Sequence, residues 1–117
     1  DSDKTSTTVN PSSNSLKQKN ILPFLNIENS DNELIIRSEH KMFKKFSIDK
    51  ENKLAFDYKD KVNFNTKKEI LAGNNFKNIT VGNHQKGGYY RVAVELGSKV
   101  SKYSVDVNDK EIVIKLK

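Results

Sequence analysis

Cysteine is absent from the 117 residues, so neither a disulfide nor a cysteine-based metal site can form. The lack of thiols suits a chain that works where thiols oxidise. No apolar run approaches the ~20 residues that a membrane-crossing helix needs, and no secretory signal pattern is visible. The chain opens with Asp rather than Met and is expected to be a processed or trimmed piece. Apolar residues are scarce at the start, where Val9 and Leu16 are the only sizeable ones before Ile21. Ser, Thr, Asn, Lys and Gln fill the rest, and such a stretch buries too little surface to offset the entropy of ordering. The expected organisation is a disordered polar linker or arm over 1–21 and one folded domain over 22–117.

Arginine is scarce too. Of 21 basic residues only Arg37 and Arg91 are Arg. Arg suits bidentate phosphate and base contacts, whereas Lys is a flexible point charge. The net charge of +6 therefore reads as a solvated surface with a general attraction for anionic polymers.

Apolar residues recur at strand spacing across the rest of the chain. Phe24, Leu25 and Ile27 follow Pro23, and Asn29-Ser30-Asp31-Asn32 is a turn signal. Leu34 and Ile36 share one face of the next strand, with Ile35 and Arg37 on the other. Phe46 and Ile48 are expected to point inward, as are Leu54, Phe56 and Tyr58 after the turn at Asp49–Asn52. Val62 and Phe64 suggest a short strand. Thr66–Leu71 is the one helical candidate, with Thr66 and Glu69 spaced as a capping box. Tyr103, Val105 and Val107 precede a turn at Asn108-Asp109, and Ile112, Ile114 and Leu116 close the chain. Short strands with polar turns predict an all-β fold, a small β-sandwich of two sheets with at most one short helical turn.

The most informative stretch is Phe76–Leu96. It reads as a strand over Phe76–Val81 that stops at Gly82, a Gly-rich loop over Asn83–Gly88, and a second strand that alternates strictly. Tyr90, Val92, Val94 and Leu96 point one way; Tyr89, Arg91, Ala93 and Glu95 point the other. Asp57 also lies opposite the apolar face of its strand. If that face is covered, its carboxylate needs a partner, and Arg91 is expected to form a structural ion pair with it. No catalytic group emerges. His40 and His84 have no second ligand at metal spacing, Ser101 and Ser104 lack a nucleophile context, and Gly87-Gly88 does not open a helix. No enzyme activity, metal or cofactor is expected.

The order of these pieces resembles the AMIN domain, a non-catalytic module of bacterial cell-envelope proteins. The likeness runs through Phe46-Ser47-Ile48, Lys53–Tyr58, the Phe76–His84 half-hairpin, Tyr90–Leu96, Tyr103-Ser104-Val105 and Glu111–Leu116, roughly the whole of Leu22–Lys117. The chain departs from the family pattern at Thr80, where an Arg often precedes the hairpin glycine, and in the Leu-Ala-Phe before Asp57. The resemblance implies a periplasmic or cell-envelope location in a Gram-negative bacterium. It also implies a role in targeting a larger protein, as AMIN domains accompany periplasmic amidases and type IV pilus secretins. Peptidoglycan, envelope proteins or both are the implied partners. Lys77, His84, Lys86, Tyr89 and Arg91, on or beside the hairpin, are the expected ligand contacts.

Two other classes of function stand beside this one. A protein–protein assembly module would use the unpaired backbone of a sandwich edge, with the Lys-rich Lys110–Lys117 strand as a protected edge. Nucleic-acid binding is a distant third and is not expected, because it needs aromatics on an open, basic sheet face and most aromatics here, Phe46, Phe56 and Tyr90 among them, fall on the expected core faces.

Overall fold

The computed structural model describes residues 17–71, 73–108 and 110–117. Among these residues, ten strands form two five-stranded sheets in which every pairing is antiparallel. Sheet A has the order β1 (Lys17–Leu22), β2 (Leu25–Asn29), β3 (Glu33–Ser38), β10 (Glu111–Leu116), β9 (Tyr103–Asn108). Sheet B has the order β4 (Met42–Ile48), β5 (Lys53–Lys59), β8 (Tyr89–Leu96), β7 (Phe76–His84), β6 (Lys67–Ile70). The remaining regular structure among the described residues is three single turns of 3-10 helix at Asp49–Glu51, Gln85–Gly87 and Val100–Lys102. The fold is all-β, as the strand spacing predicts.

The core lies between the inner faces of the sheets, where Leu25, Ile27, Leu34, Ile36, Ile112 and Ile114 meet Phe56, Tyr90, Val92, Val94, Ile79 and Val81, all buried. Each buried Val or Leu contributes about 1.5–3 kcal/mol relative to exposure, and the period-2 spacing of these residues fixes the register. In β8 the alternation holds over its whole length: Tyr90, Val92, Val94 and Leu96 are buried while Tyr89, Arg91, Ala93 and Glu95 are only partly so.

Several expectations are corrected. Residues 17–21 of the predicted arm belong to β1, whose Lys17–Asn20 pair with Asn26–Asn29 of β2; exposed side chains hid a strand held by backbone bonds. The remainder of that arm lies outside the described residues. Thr66–Leu71 is not helical: Lys67–Ile70 pairs with Asn78–Val81 as β6. A stretch this short cannot sustain a helix alone, whereas the edge of β7 supplies ready hydrogen-bond partners. Val62 and Phe64 form no strand but pack from a loop onto the core. The hairpin strand does not stop at Val81. Gly82, Asn83 and His84 pair with Arg91, Tyr90 and Tyr89, so the connection shrinks to one 3-10 turn closed by left-handed Gly88 (φ 71°). The last strand, β10, lies between β3 and β9 rather than at an edge.

Phe46 and Ile48 also point outward, not into the core. A bulge between Met42 and Lys44 shifts the phase of β4, so that Phe46 sits opposite Ala55 and Ile48 opposite Lys53 on the outer face.

Candidate ligand-binding face

The outer face of sheet B is built around Arg91. In the register of β5 with β8, Arg91 lies directly opposite Asp57. Its Nε donates to Asp57 Oδ1 at 2.7 Å and its Nη2 to Oδ2 at 3.1 Å, a two-pronged pairing. The Asp57 side chain is 2% exposed and that of Arg91 is 32% exposed. An isolated carboxylate buried to that degree would be strongly unfavourable, and the planar guanidinium fork matches both of its oxygens. The hydrogen bond to Asp57 is also the main influence that raises the Arg91 pKa further, so the cation persists throughout the working pH range.

Aromatic rings flank this cation. The Arg91 guanidinium lies 4.9 Å from the centre of the Phe46 ring and 5.7 Å from that of Tyr89, within the range of cation–π attraction. The Lys44 ammonium sits 5.3 Å from Phe46. Beyond Tyr89, the His84 ring stacks in parallel at 4.8 Å with planes 7° apart. Phe43, 53% exposed, meets Tyr89 edge-on at 5.9 Å; the bulge in β4 brings it to this side. His84, Tyr89, Arg91, Phe46 and Lys44 thus form a ladder across β7, β8 and β4 in which Arg91 lies between two rings and Lys44 ends the row. Gly87 makes room for it, since a Cβ there would come within 2.5 Å of the Tyr89 ring.

Of the five predicted contacts, His84, Tyr89 and Arg91 are brought together. Lys86 joins them on the 3-10 turn, lining an open cleft of about 420 Å³ with His84 and Tyr89. Lys77 stands apart. It lies seven residues from His84 on the same strand, a separation of ~23 Å at 3.3 Å per residue, beside the bulge at Phe76–Asn78. The sequence reading missed Phe43, Lys44 and Phe46. A signal existed in the two-residue spacing that puts Lys44 and Phe46 on one face, but the bulge that decides which face that is cannot be seen in a one-strand pattern.

A second polar cluster sits at one end of the sandwich. Tyr90 OH lies 2.6 Å from Ser38 Oγ and 3.0 Å from His40 Nδ1, and His40 Nε2 faces Asp60 at 2.5 Å. Phe24, Phe64 and Tyr58 pack around Tyr90, Tyr58 stacking on it at 5.2 Å. Burial is the main cause that pushes the Tyr90 phenol up to about 12 and Tyr58 higher still. Ser38 is 5% exposed and its hydroxyl is engaged by Tyr90 and by the His40 N–H. This geometry ties sheet A to sheet B rather than presenting a nucleophile. Among the described residues, no three His, Asp or Glu side chains are grouped to hold a metal ion, and no helix is long and apolar enough to cross a membrane.

Neither a curated protein nor a solved structure matches the chain. A family model does. It matches residues 22–116, from the last residue of β1 to the end of β10. AMIN domains are non-catalytic modules of periplasmic and envelope proteins, and two packed antiparallel sheets together with that match place this chain in the AMIN domain family.

Proposed function

We propose that this domain is a periplasmic targeting module that binds peptidoglycan through the outer face of sheet B. The observation that carries the reading is the ladder of rings and cations centred on Arg91. Peptidoglycan offers sugar rings, whose apolar faces pack on aromatic side chains, and stem-peptide carboxylates, which attract fixed cations. Tyr89, Phe43 and His84 supply the ring surface. Lys44, Lys86 and the outward edge of Arg91 supply the charge. Arg91 is already neutralised in part by Asp57, so its contribution is directional hydrogen bonding more than net attraction. Lys77 is too distant to belong to the same contact.

Cosedimentation with purified sacculi at low and high salt tests this. Retention at both salt levels is expected, with a drop of about tenfold for Tyr89→Ala, equivalent to ~1.4 kcal/mol. Retention only at low salt would reduce the interaction to net charge. No retention at either would remove peptidoglycan as the ligand.

A further inference from the structure

The two sheets have four edges, and three carry the devices that discourage another strand from pairing. At the outside of sheet A, β1 has Lys17 and Lys19 and a register shift between Asn20 and Leu22. In sheet B, β4 has Lys44, Lys45 and its bulge. The other edge, β6, is four residues long and includes Lys67 and Lys68. The fourth edge differs. The sequence of β9 is Tyr103-Ser104-Val105-Asp106-Val107-Asn108, six residues with no Lys and no Pro, paired with β10 in continuous register without a bulge. Its last three residues are exposed, and Val107, on the core-facing side, remains 40% exposed.

We propose that β9 is a docking edge for a second copy of this chain, paired antiparallel to itself about a twofold axis through Val105. The strand's own sequence argues for that occupant. Centred on Val105, the pairing sets Val105 against Val105, Tyr103 against Val107 of the second copy, and Ser104 against its Asp106. These are an aliphatic pair, an aromatic–β-branched pair and a hydroxyl–carboxylate pair, all favourable across strands. A one-residue slip turns core-facing side chains outward. A two-residue slip centred on Asp106 opposes two carboxylates, and one centred on Ser104 pairs only Tyr103–Val105 of the strand, because Lys102 already belongs to the preceding 3-10 turn. One register therefore stands out, and it joins the two A sheets into a continuous ten-stranded sheet. Such twofold contacts are self-complementary by construction. The contact is small, which places it among weak, reversible associations. The outer face of sheet B stays free for ligand on each copy.

Sedimentation equilibrium from low to high micromolar concentration reads the association directly. The wild-type chain is expected to dimerise reversibly. Val107→Lys, which places a charge on the inward side of the edge, is expected to raise the dissociation constant at least tenfold while the circular dichroism spectrum is unchanged. The Cys-free background permits a second readout. A mixture of Ser104→Cys and Asp106→Cys proteins should oxidise mainly to the mixed disulfide, because opposed residues of an antiparallel pair lie within disulfide range. A wild-type chain that stays monomeric at millimolar concentration overturns the proposal. So does a dimer that survives Val107→Lys and gives no excess of mixed disulfide, which would place the contact on another surface.

Discussion

Asp57 and Arg91 illustrate how one pair of side chains is set by its neighbours. Each lies on the outer side of a strand in the middle of sheet B, and the register places them face to face. Removing the cation leaves a carboxylate that is nearly inaccessible to water. Arg91→Met is expected to destabilise the fold by ~2–4 kcal/mol in urea denaturation, short of the upper range for buried pairs because Arg91 itself is one-third exposed. Adding Asp57→Ala to that variant should recover part of the loss; a double mutant worse than the sum of the singles would mean the pair is not the cause. This pair was legible in the sequence, since both residues interrupt the apolar rhythm on the side away from the core. Phe46 was not. Its face depends on the bulge at Met42–Lys44, and with Phe43 and Phe46 on opposite phases of the strand, either face could have been the apolar one.

Among the elements, β8 shows what periodicity can and cannot reveal. It is the central strand of sheet B, and its alternation needs no partner to be recognised. Val92 is fully buried opposite Phe56 and Val81. Val92→Ala is expected to cost about 1.5–3 kcal/mol by urea titration, whereas Val92→Asp should leave no cooperative transition; a folded Val92→Asp protein would place the strand phase in error. The edge elements are the opposite case. β1 and β6 begin in Lys, Gln, Asn and Glu, with apolar residues only at their ends (Ile21, Leu22 and Ile70), and their strand character comes from backbone bonds to β2 and β7. No pattern of side chains announces an element whose stability resides in its neighbour. The extension of β7 through Gly82 was hidden differently: glycine there signals a turn in the sequence, yet the strand runs on through it to pair with Arg91, and a Cβ at that position would meet only His84 Nε2 at 3.8 Å.

For the molecule as a whole, the two-sheet architecture followed from the number and spacing of strands, but the order of strands within each sheet did not. That order places two tyrosines, Tyr58 and Tyr90, between the sheets, with Tyr90 bonded to Ser38 of sheet A. Burial raises the Tyr90 pKa to about 12 in the folded chain, against ~10 when unfolded. A raised phenol pKa means the folded state retains a proton that the unfolded state releases. Its contribution to stability is therefore complete below pH ~10 and declines as pH rises towards 12. Melting temperature should be insensitive to this group at neutral pH and fall between pH 10 and 12, with Tyr90→Phe flattening that decline. An unchanged alkaline profile in Tyr90→Phe would show that other groups govern it.

The position of β10 has a consequence for how the chain is made. Sheet B is contiguous in sequence, from Met42 to Leu96, while sheet A is assembled from two pieces, Lys17–Ser38 and Tyr103–Leu116, with β10 wedged between β3 and β9. During synthesis or translocation, which deliver residues in chain order, β4 to β8 can close on one another while β3 still awaits its neighbour. Until Leu116 is delivered, only three of the five strands of sheet A are there to cover the inner face of sheet B. The nascent chain is then at its stickiest, and a holding chaperone would find its binding site on that partly covered face.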